Sequence, residues 1–276
     1  MILEDANHND RLYLCRAGVD ILFEASLEFM AASRLRASKA TFLLDIDGTL
    51  VYSDAIYFRV FQKLLAPLGY TVDDAFFKEN VHGKVDADVF KKLLPADATE
   101  EDLLAISKKK DSTFCELYRE QSALSGPPIL EGLPAALELA RELGIRCIAV
   151  TNAPRGAAET TIASLREAIP AASVIEGLVI GAECERAKPH PDPYFEGARQ
   201  LGVPISECIV FEDSRSGVRA GVAAGCPVIG MRSSLSDAEL RAAGCVATLG
   251  DWTGLTAELI AKVAAGAPGD ASPEAL

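Results

Sequence analysis

No two of the seven cysteines stand in Cys-x-x-Cys spacing, and their count is odd. Cys15, Cys115, Cys147, Cys184, Cys208, Cys226 and Cys245 are scattered. That argues against a disulfide frame or a zinc site and for reduced thiols, several of them plain core residues. No apolar run is long enough to span a bilayer. Basic residues are in deficit: 27 Lys and Arg stand against 40 Asp and Glu, a formal net charge of −13. So acidic a surface disfavours nucleic acid and anionic membranes as partners. An anionic ligand would need a local positive site, either a metal ion or a buried lysine. The first 29 residues carry Glu4, Asp5, Asp10, Asp20, Glu24 and Glu28. Acid-rich starts lack the character of signal or transit peptides, so a cytoplasmic location is expected. Met30 opens a basic stretch without acids. If it acts as a targeting start, a plastid is the alternative. Residues 1–38 are set apart as an N-terminal extension of unassigned role.

What is present is a chain of 276 residues, 49% hydrophobic and 24% charged. That is the profile of a soluble globular protein with room for a sizeable core and a second module. The run Thr41-Phe42-Leu43-Leu44-Asp45 reads as a strand. Residues 54–125 read as helical: Phe58, Phe61, Leu64, Leu65 and Leu68 recur at helical spacing, and Val89, Phe90, Leu93 and Leu94 form a second stripe. A longer helix is predicted from about Glu100 to Leu124, burying Leu103, Leu104, Ile106, Phe114, Leu117 and Tyr118. Ser125-Gly126-Pro127-Pro128 ends this block. Strands and helices then alternate. Strands are predicted at 145–150, 173–180, 208–211 and 227–231, with helices at 133–143, 154–168, 192–201, 214–224, 237–243 and 255–264. The segment 266–276 is rich in Pro, Gly and Ala and is expected to fray. Such alternation implies an α/β fold, a parallel sheet with helices on both faces.

Ligands of these sheets bind beyond the carboxyl ends of the strands. Asp45 and Asp47 follow the first strand, Thr151 and Asn152 follow 145–150, and Glu212 and Asp213 follow 208–211. Each group has a plain reading on its own: a helix cap, a turn residue, or (for Lys188 in Ala187-Lys188-Pro189) a solvated loop lysine. Their joint placement at one sheet edge reverses that judgement. Residues two apart on a strand share a face, so Asp45 and Asp47 project together, and Gly48 lets the backbone turn away. Two close carboxylates repel unless a cation neutralises them. The chemistry they suit is phosphoryl transfer. Asp45 is the candidate nucleophile and Asp47 the acid and base. Mg²⁺ favours hard oxygen ligands, here Asp45, Asp213 and the Asp47 carbonyl, with Glu212 ligating directly or through water. Thr151 and Asn152 can hydrogen-bond phosphoryl oxygens, and Lys188 can balance the charge of Asp45 and phosphate.

Asp45-Ile46-Asp47-Gly48-Thr49, Thr151-Asn152, Lys188-Pro189 and Phe211-Glu212-Asp213-Ser214 with Ser216-Gly217 resemble the four motifs of the haloacid dehalogenase superfamily. The likeness covers roughly residues 40–250. Within it, Ala149–Pro154, Gly181–Glu185 with Lys188–Pro191, and Gly217–Gly225 are similar to a plant-type broad-range sugar-phosphate phosphatase of the β-phosphoglucomutase-like subgroup. The resemblance implies a Rossmann-like core at 39–53 and 129–265 with a mobile helical cap at 54–128. It also implies a Mg²⁺-dependent phosphatase acting through an aspartyl-phosphate, on a small phosphorylated metabolite such as a sugar or polyol phosphate. The assembly expected is a monomer or weak dimer. His82, Gly83 and Lys84 resemble the cap segment that dips toward substrate. Three residues after Gly83, where mutases of the subgroup carry an arginine, stands Asp86, which favours phosphatase over phosphomutase. Tyr52 departs from the aspartate common in relatives. Asp47 argues against a dehalogenase. No cap lysine is clearly placed for a phosphonatase Schiff base, although Lys78 and Lys84 keep that option open. A fold-retaining protein without catalysis is the remaining alternative, and the complete residue set speaks against it.

Overall fold

Each short apolar run that precedes a helical stretch becomes a strand of one sheet. The computed structural model describes residues 40–81 and 86–266. The extension 1–38, the tail beyond Gly266 and the trio His82, Gly83 and Lys84 lie outside the described residues. In chain order the elements are β1 (Thr41–Leu44), α1 (Asp54–Leu65), α2 (Asp74–Asn80), α3 (Asp86–Leu93), α4 (Glu100–Ser125) and α5 (Leu133–Leu143). Then follow β2 (Arg146–Thr151), α6 (Arg155–Ala168), β3 (Ile175–Ile180), α7 (Asp192–Leu201), β4 (Cys208–Glu212) and α8 (Arg215–Ala223). The chain closes with β5 (Val228–Met231), α9 (Asp237–Ala243), β6 (Ala247–Leu249) and α10 (Ala257–Ala264).

The sheet runs in the order β3-β2-β1-β4-β5-β6, and every pair is parallel. Alternate side chains enter opposite layers, as the two-residue period of a strand requires. Phe42 and Leu44 of β1 join Ile209, Phe211, Ile229 and Met231 under α5, α6 and α10. Leu43 joins Ile148, Val150, Val210 and Val228 under α7, α8 and α9. The strand order reverses between β1 and β4, which opens a crevice at their carboxyl ends. That reversal decides where the site lies.

The helical insert follows β1, as its periodicity indicates. Phe61 stacks on Phe90 and meets Phe77 edge-on in the insert's own apolar cluster. A second cluster seats Phe114, Leu117 and Tyr118 of α4 between Ile56 and Val60 of α1 and Ala157 of α6. Arg119 Nη2 donates to Thr160 Oγ1 at 3.0 Å across the same seam. Helix α4 starts at Glu100 because Thr99 and Asp102 cap each other reciprocally, an arrangement worth about 1 kcal/mol. The two linkers to the insert pair side by side. Tyr52 N donates to the Pro128 carbonyl at 2.7 Å and Leu130 N to that of Leu50 at 3.0 Å, while Val51 bridges both Ile129 and Asp47.

Three details depart from the sequence reading. Strand β1 ends at Leu44, so Asp45 and Asp47 lie just past it, although Asp45 N still donates to the Phe211 carbonyl at 3.1 Å. Leu104 and Leu68 face solvent, because Leu104 falls off the stripe formed by Leu103, Ile106 and Lys110, and Leu68 lies beyond the end of α1. Strand β6 was not foreseen; three residues are too few to display a period. No helix among the described residues is long and apolar enough to cross a membrane.

Candidate active site

A cavity of about 220 Å³ opens at the carboxyl edge of the sheet. Asp45, Asp47, Gly48, Asp54, Thr151, Lys188, Glu212, Asp213, Ser214 and Ser234 are among the residues that line it. The strand ends thus bring together every site residue expected from the sequence that lies within the described segments. Two glycines make the close packing possible. Gly48 turns with φ +75°, and a Cβ there would overlap the Asp213 carboxylate; a Cβ at Gly217 would overlap Glu212.

Lys188 lies at the centre, buried. Its ammonium donates to Asp45 Oδ1 at 2.8 Å, to the Val150 carbonyl at 2.6 Å and to Glu212 Oε1 at 2.7 Å. All three protons are therefore directed at protein oxygens. Burial alone would lower its pKa, but Asp45 and Glu212 outweigh burial and push it upward. Glu212 is equally occupied. Oε1 also accepts from the Tyr194 hydroxyl at 3.0 Å, and Oε2 accepts from Asp213 N, Ser214 N and Ser214 Oγ, each at 3.0 Å. Ser214 Oγ in turn accepts from Gly217 N, capping α8. The sequence reading gave Glu212 a role on the metal. Its bonds also make it the anchor that holds Lys188 against Asp45.

Asp45, Glu212 and Asp213 bring carboxylate oxygens within 4.8 Å of one another, all buried. Burial first, then Glu212, pushes the Asp45 carboxyl well above the usual carboxylate range; Lys188 opposes this and Asp213 reinforces it. Burial likewise raises Asp213 to about 7, with Glu212 adding and a Ser234 hydrogen bond pulling down. Two crowded anions of this kind fit a hard divalent cation, whose charge would offset the repulsion. Asp47 stands apart from this cluster. Its carboxyl is raised by burial and pulled down by a hydrogen bond with Ser53.

Thr151 is buried, and its Oγ1 accepts from Ala153 N at 3.0 Å, which leaves its proton to give. Asn152 lines the cavity. Its Nδ2 donates to the Lys188 carbonyl at 3.0 Å and its Oδ1 accepts from Lys188 N at 3.2 Å. Both heteroatoms of the amide grip the lysine's own peptide groups, so the side chain fixes the Lys188 loop, and the second Nδ2 proton is left to give. Gly181 is needed beside it, since a Cβ there would strike Asn152 Oδ1.

The family model of the haloacid dehalogenase-like hydrolases matches this chain over residues 39–225, which hold Asp45, Thr151, Lys188 and Asp213. The chain belongs to the haloacid dehalogenase-like hydrolases. Relatives of this hydrolase include hexitol phosphatase A of Escherichia coli, 31% identical over 192 residues, 70% of this chain and 82% of that one. Glycerol-1-phosphate phosphohydrolase 1 of Saccharomyces cerevisiae is 29% identical over 222 residues, 74% of this chain and 78% of that one. In fold, the hydrolase resembles the crystal structure of a HAD hydrolase, family IA, variant 3 from Entamoeba histolytica. Their TM-score is 0.69 at 23% identity, over 82% of this chain and 99% of that one.

Tyr194, Ser53, Ser233 and Ser234 were not singled out from the sequence of this hydrolase. The serine pair had a usable signal: it follows β5 at the same sheet edge as the other strand-end residues. Tyr194 had none, because a tyrosine on the buried face of α7 reads as core.

Proposed function

We propose that the protein is a Mg²⁺-dependent phosphatase of small sugar or polyol phosphates that works through an aspartyl-phosphate on Asp45. The observation that carries this reading is the division of labour between the two aspartates. Asp45 is aligned by Lys188 beside Asp213, whereas Asp47 is held apart by Ser53 with a raised pKa. An Asp45 oxygen attacks phosphorus as the bond from phosphorus to the alcohol oxygen breaks. Asp47 gives that oxygen its proton, then takes one from the water that cleaves the acyl phosphate and restores Asp45. A proton donor is needed for an alkoxide leaving group and not for a halide. Asp45 and Asp213 would hold the cation with the Asp47 carbonyl. Bound there, magnesium supplies positive charge to the phosphoryl oxygens and the attacking carboxylate. The Thr151 hydroxyl hydrogen-bonds a phosphoryl oxygen, while Asn152 and Glu212 keep Lys188 in place. The helical insert would act as a cap that excludes water during attack. The relatives named above for hexitol and glycerol phosphates support the substrate class.

The test is phosphate release from glycerol, hexitol and hexose phosphates with and without Mg²⁺. Release is expected only with the cation. Isomerisation of a hexose phosphate with little free phosphate would instead favour a mutase.

The Asp47→Asn variant is expected to lose about 10²- to 10⁴-fold on an alkyl phosphate. On p-nitrophenyl phosphate, whose leaving group needs no proton, the first step should survive. Rapid-quench kinetics should then show phenolate release outrunning phosphate release. Equal losses in the first step on both substrates would remove Asp47 from the proton-donor role.

Asp213 gives a pH dependence. Its folded pKa, about 7, lies above that of an exposed carboxyl. Between about pH 4 and 7 the cation-free native state therefore binds a proton that the unfolded chain does not, and its stability falls as pH rises through that window. Cation binding requires the carboxylate, so it weakens as pH falls below about 7. The increase in Tm on adding excess Mg²⁺ should be larger at pH 8 than at pH 6. Thermal scans at the two pH values check it, and an equal increase at both would contradict it.

A further inference from the structure

The loop after β5 brings two consecutive hydroxyls to one oxygen of Asp213. Ser234 Oγ donates to Asp213 Oδ2. Ser233 Oγ donates to the Gly48 carbonyl at 2.5 Å and lies 3.3 Å from the same Oδ2. Asp213 Oδ1 carries no protein hydrogen bond among the described residues. A carboxylate with one oxygen held in this way cannot rotate freely about its Cβ–Cγ bond, so the other oxygen keeps one direction. Ser233 adds a second constraint. Its hydroxyl joins Asp213 to the backbone immediately after Asp47, at the position where Gly48 already packs against the Asp213 carboxylate.

We propose that Ser234, with Ser233, is a positioning residue for the cation site. Its hydroxyl fixes which Asp213 oxygen faces the cation, and Ser233 ties that carboxylate to the loop bearing Asp47. This rests on the reading of Asp213 as a metal ligand. Groups that orient metal-ligating carboxylates commonly change metal affinity about 10- to 100-fold when removed. Ser234 lies at the cavity wall and is exposed at its outer side, so its truncation leaves the core untouched.

The test uses the full chain as wild type, Ser234→Ala and Ser234→Thr. Mg²⁺ binding is measured by isothermal titration calorimetry without substrate, and phosphate release is measured against Mg²⁺ concentration. Ser234→Ala is expected to bind Mg²⁺ about tenfold more weakly, with an unchanged Tm in the cation-free state. Its phosphate release should recover as Mg²⁺ is raised. Ser234→Thr, which keeps the hydroxyl, should stay within about twofold of wild type in affinity. Wild-type Mg²⁺ affinity in Ser234→Ala, beside a wild type that binds the ion, overturns the positioning role and leaves the proposed phosphatase standing. A loss of affinity that Thr does not restore, or one matched by a fall in cation-free Tm, also overturns it. Failure of the wild type to bind Mg²⁺ at all overturns both readings.

Discussion

The Asp45→Asn variant loses phosphate release by at least about 10⁴-fold, or about 5 kcal/mol of barrier, while remaining folded. The substitution keeps the size of the side chain and an oxygen that can accept from Lys188 Nζ, now 2.8 Å from Asp45 Oδ1. It also removes one of the three crowded carboxylates, so the burial and repulsion that raise the Asp45 carboxyl are gone from the site. What disappears is the anionic oxygen proposed to bond to phosphorus. A phosphate-release assay at saturating Mg²⁺ measures the loss, and acid-quenched labelling with radioactive phosphate should find no acyl phosphate on the variant. Wild-type turnover in a homogeneous sample would sink the nucleophile assignment. A folded variant that binds Mg²⁺ but neither turns over nor takes label is the expected result.

Lys188→Met carries the largest expected effect on stability. Methionine matches the length of the lysine stem but brings no charge. Asp45 and Glu212 would be left with side chains only 10% and 1% exposed and no cation beside them. Stranding buried partners in this way costs about 3–5 kcal/mol, and the Val150 carbonyl loses a donor as well. The sign of the pH dependence follows from the partners. Lys188 is what pulls the Asp45 carboxyl down, so without it Asp45 is more easily protonated, and protonation removes its stranded charge. The deficit should therefore narrow as pH falls and widen as pH rises. Urea denaturation of both proteins at pH 5 and pH 8, in the absence of Mg²⁺, measures it. Phosphate release should vanish too, since a protonated Asp45 is no nucleophile. A deficit below about 1 kcal/mol at pH 8 would mean that the network holds less than the geometry implies.

The parallel sheet was legible because its strands are apolar on both faces and separated by helices with their own period. The helical insert was legible for the same reason, with Phe58, Phe61, Leu64 and Leu65 on one stripe of α1. At the site, strand ends reveal which residues share an edge. They do not reveal which atom of a side chain is already engaged. Asn152 and Glu212 stand where the sequence put them, yet local hydrogen bonds turn both toward Lys188. Ser233 and Ser234 follow β5 at the same edge as Asp45, Thr151 and Asp213, but uncharged hydroxyls in a loop carry no mark beyond that place in the sheet. Tyr194 could not have been found by pattern, because its hydroxyl matters only once Glu212 is known to lie beneath it.

The paired linkers between β1 and the helical insert have a mechanical consequence. Tyr52 with Pro128, and Leu50 with Leu130, bind two chain crossings into a single short ribbon, and Val51 on that ribbon also bridges Asp47. Two crossings joined along their length act as one pivot, which permits swing and resists shear. Asp45 is anchored to the neighbouring strand at Phe211, away from the pivot, while Asp47 sits against it. Any swing of the insert is thereby felt by Asp47, the proposed proton carrier, and not by Asp45, the proposed nucleophile.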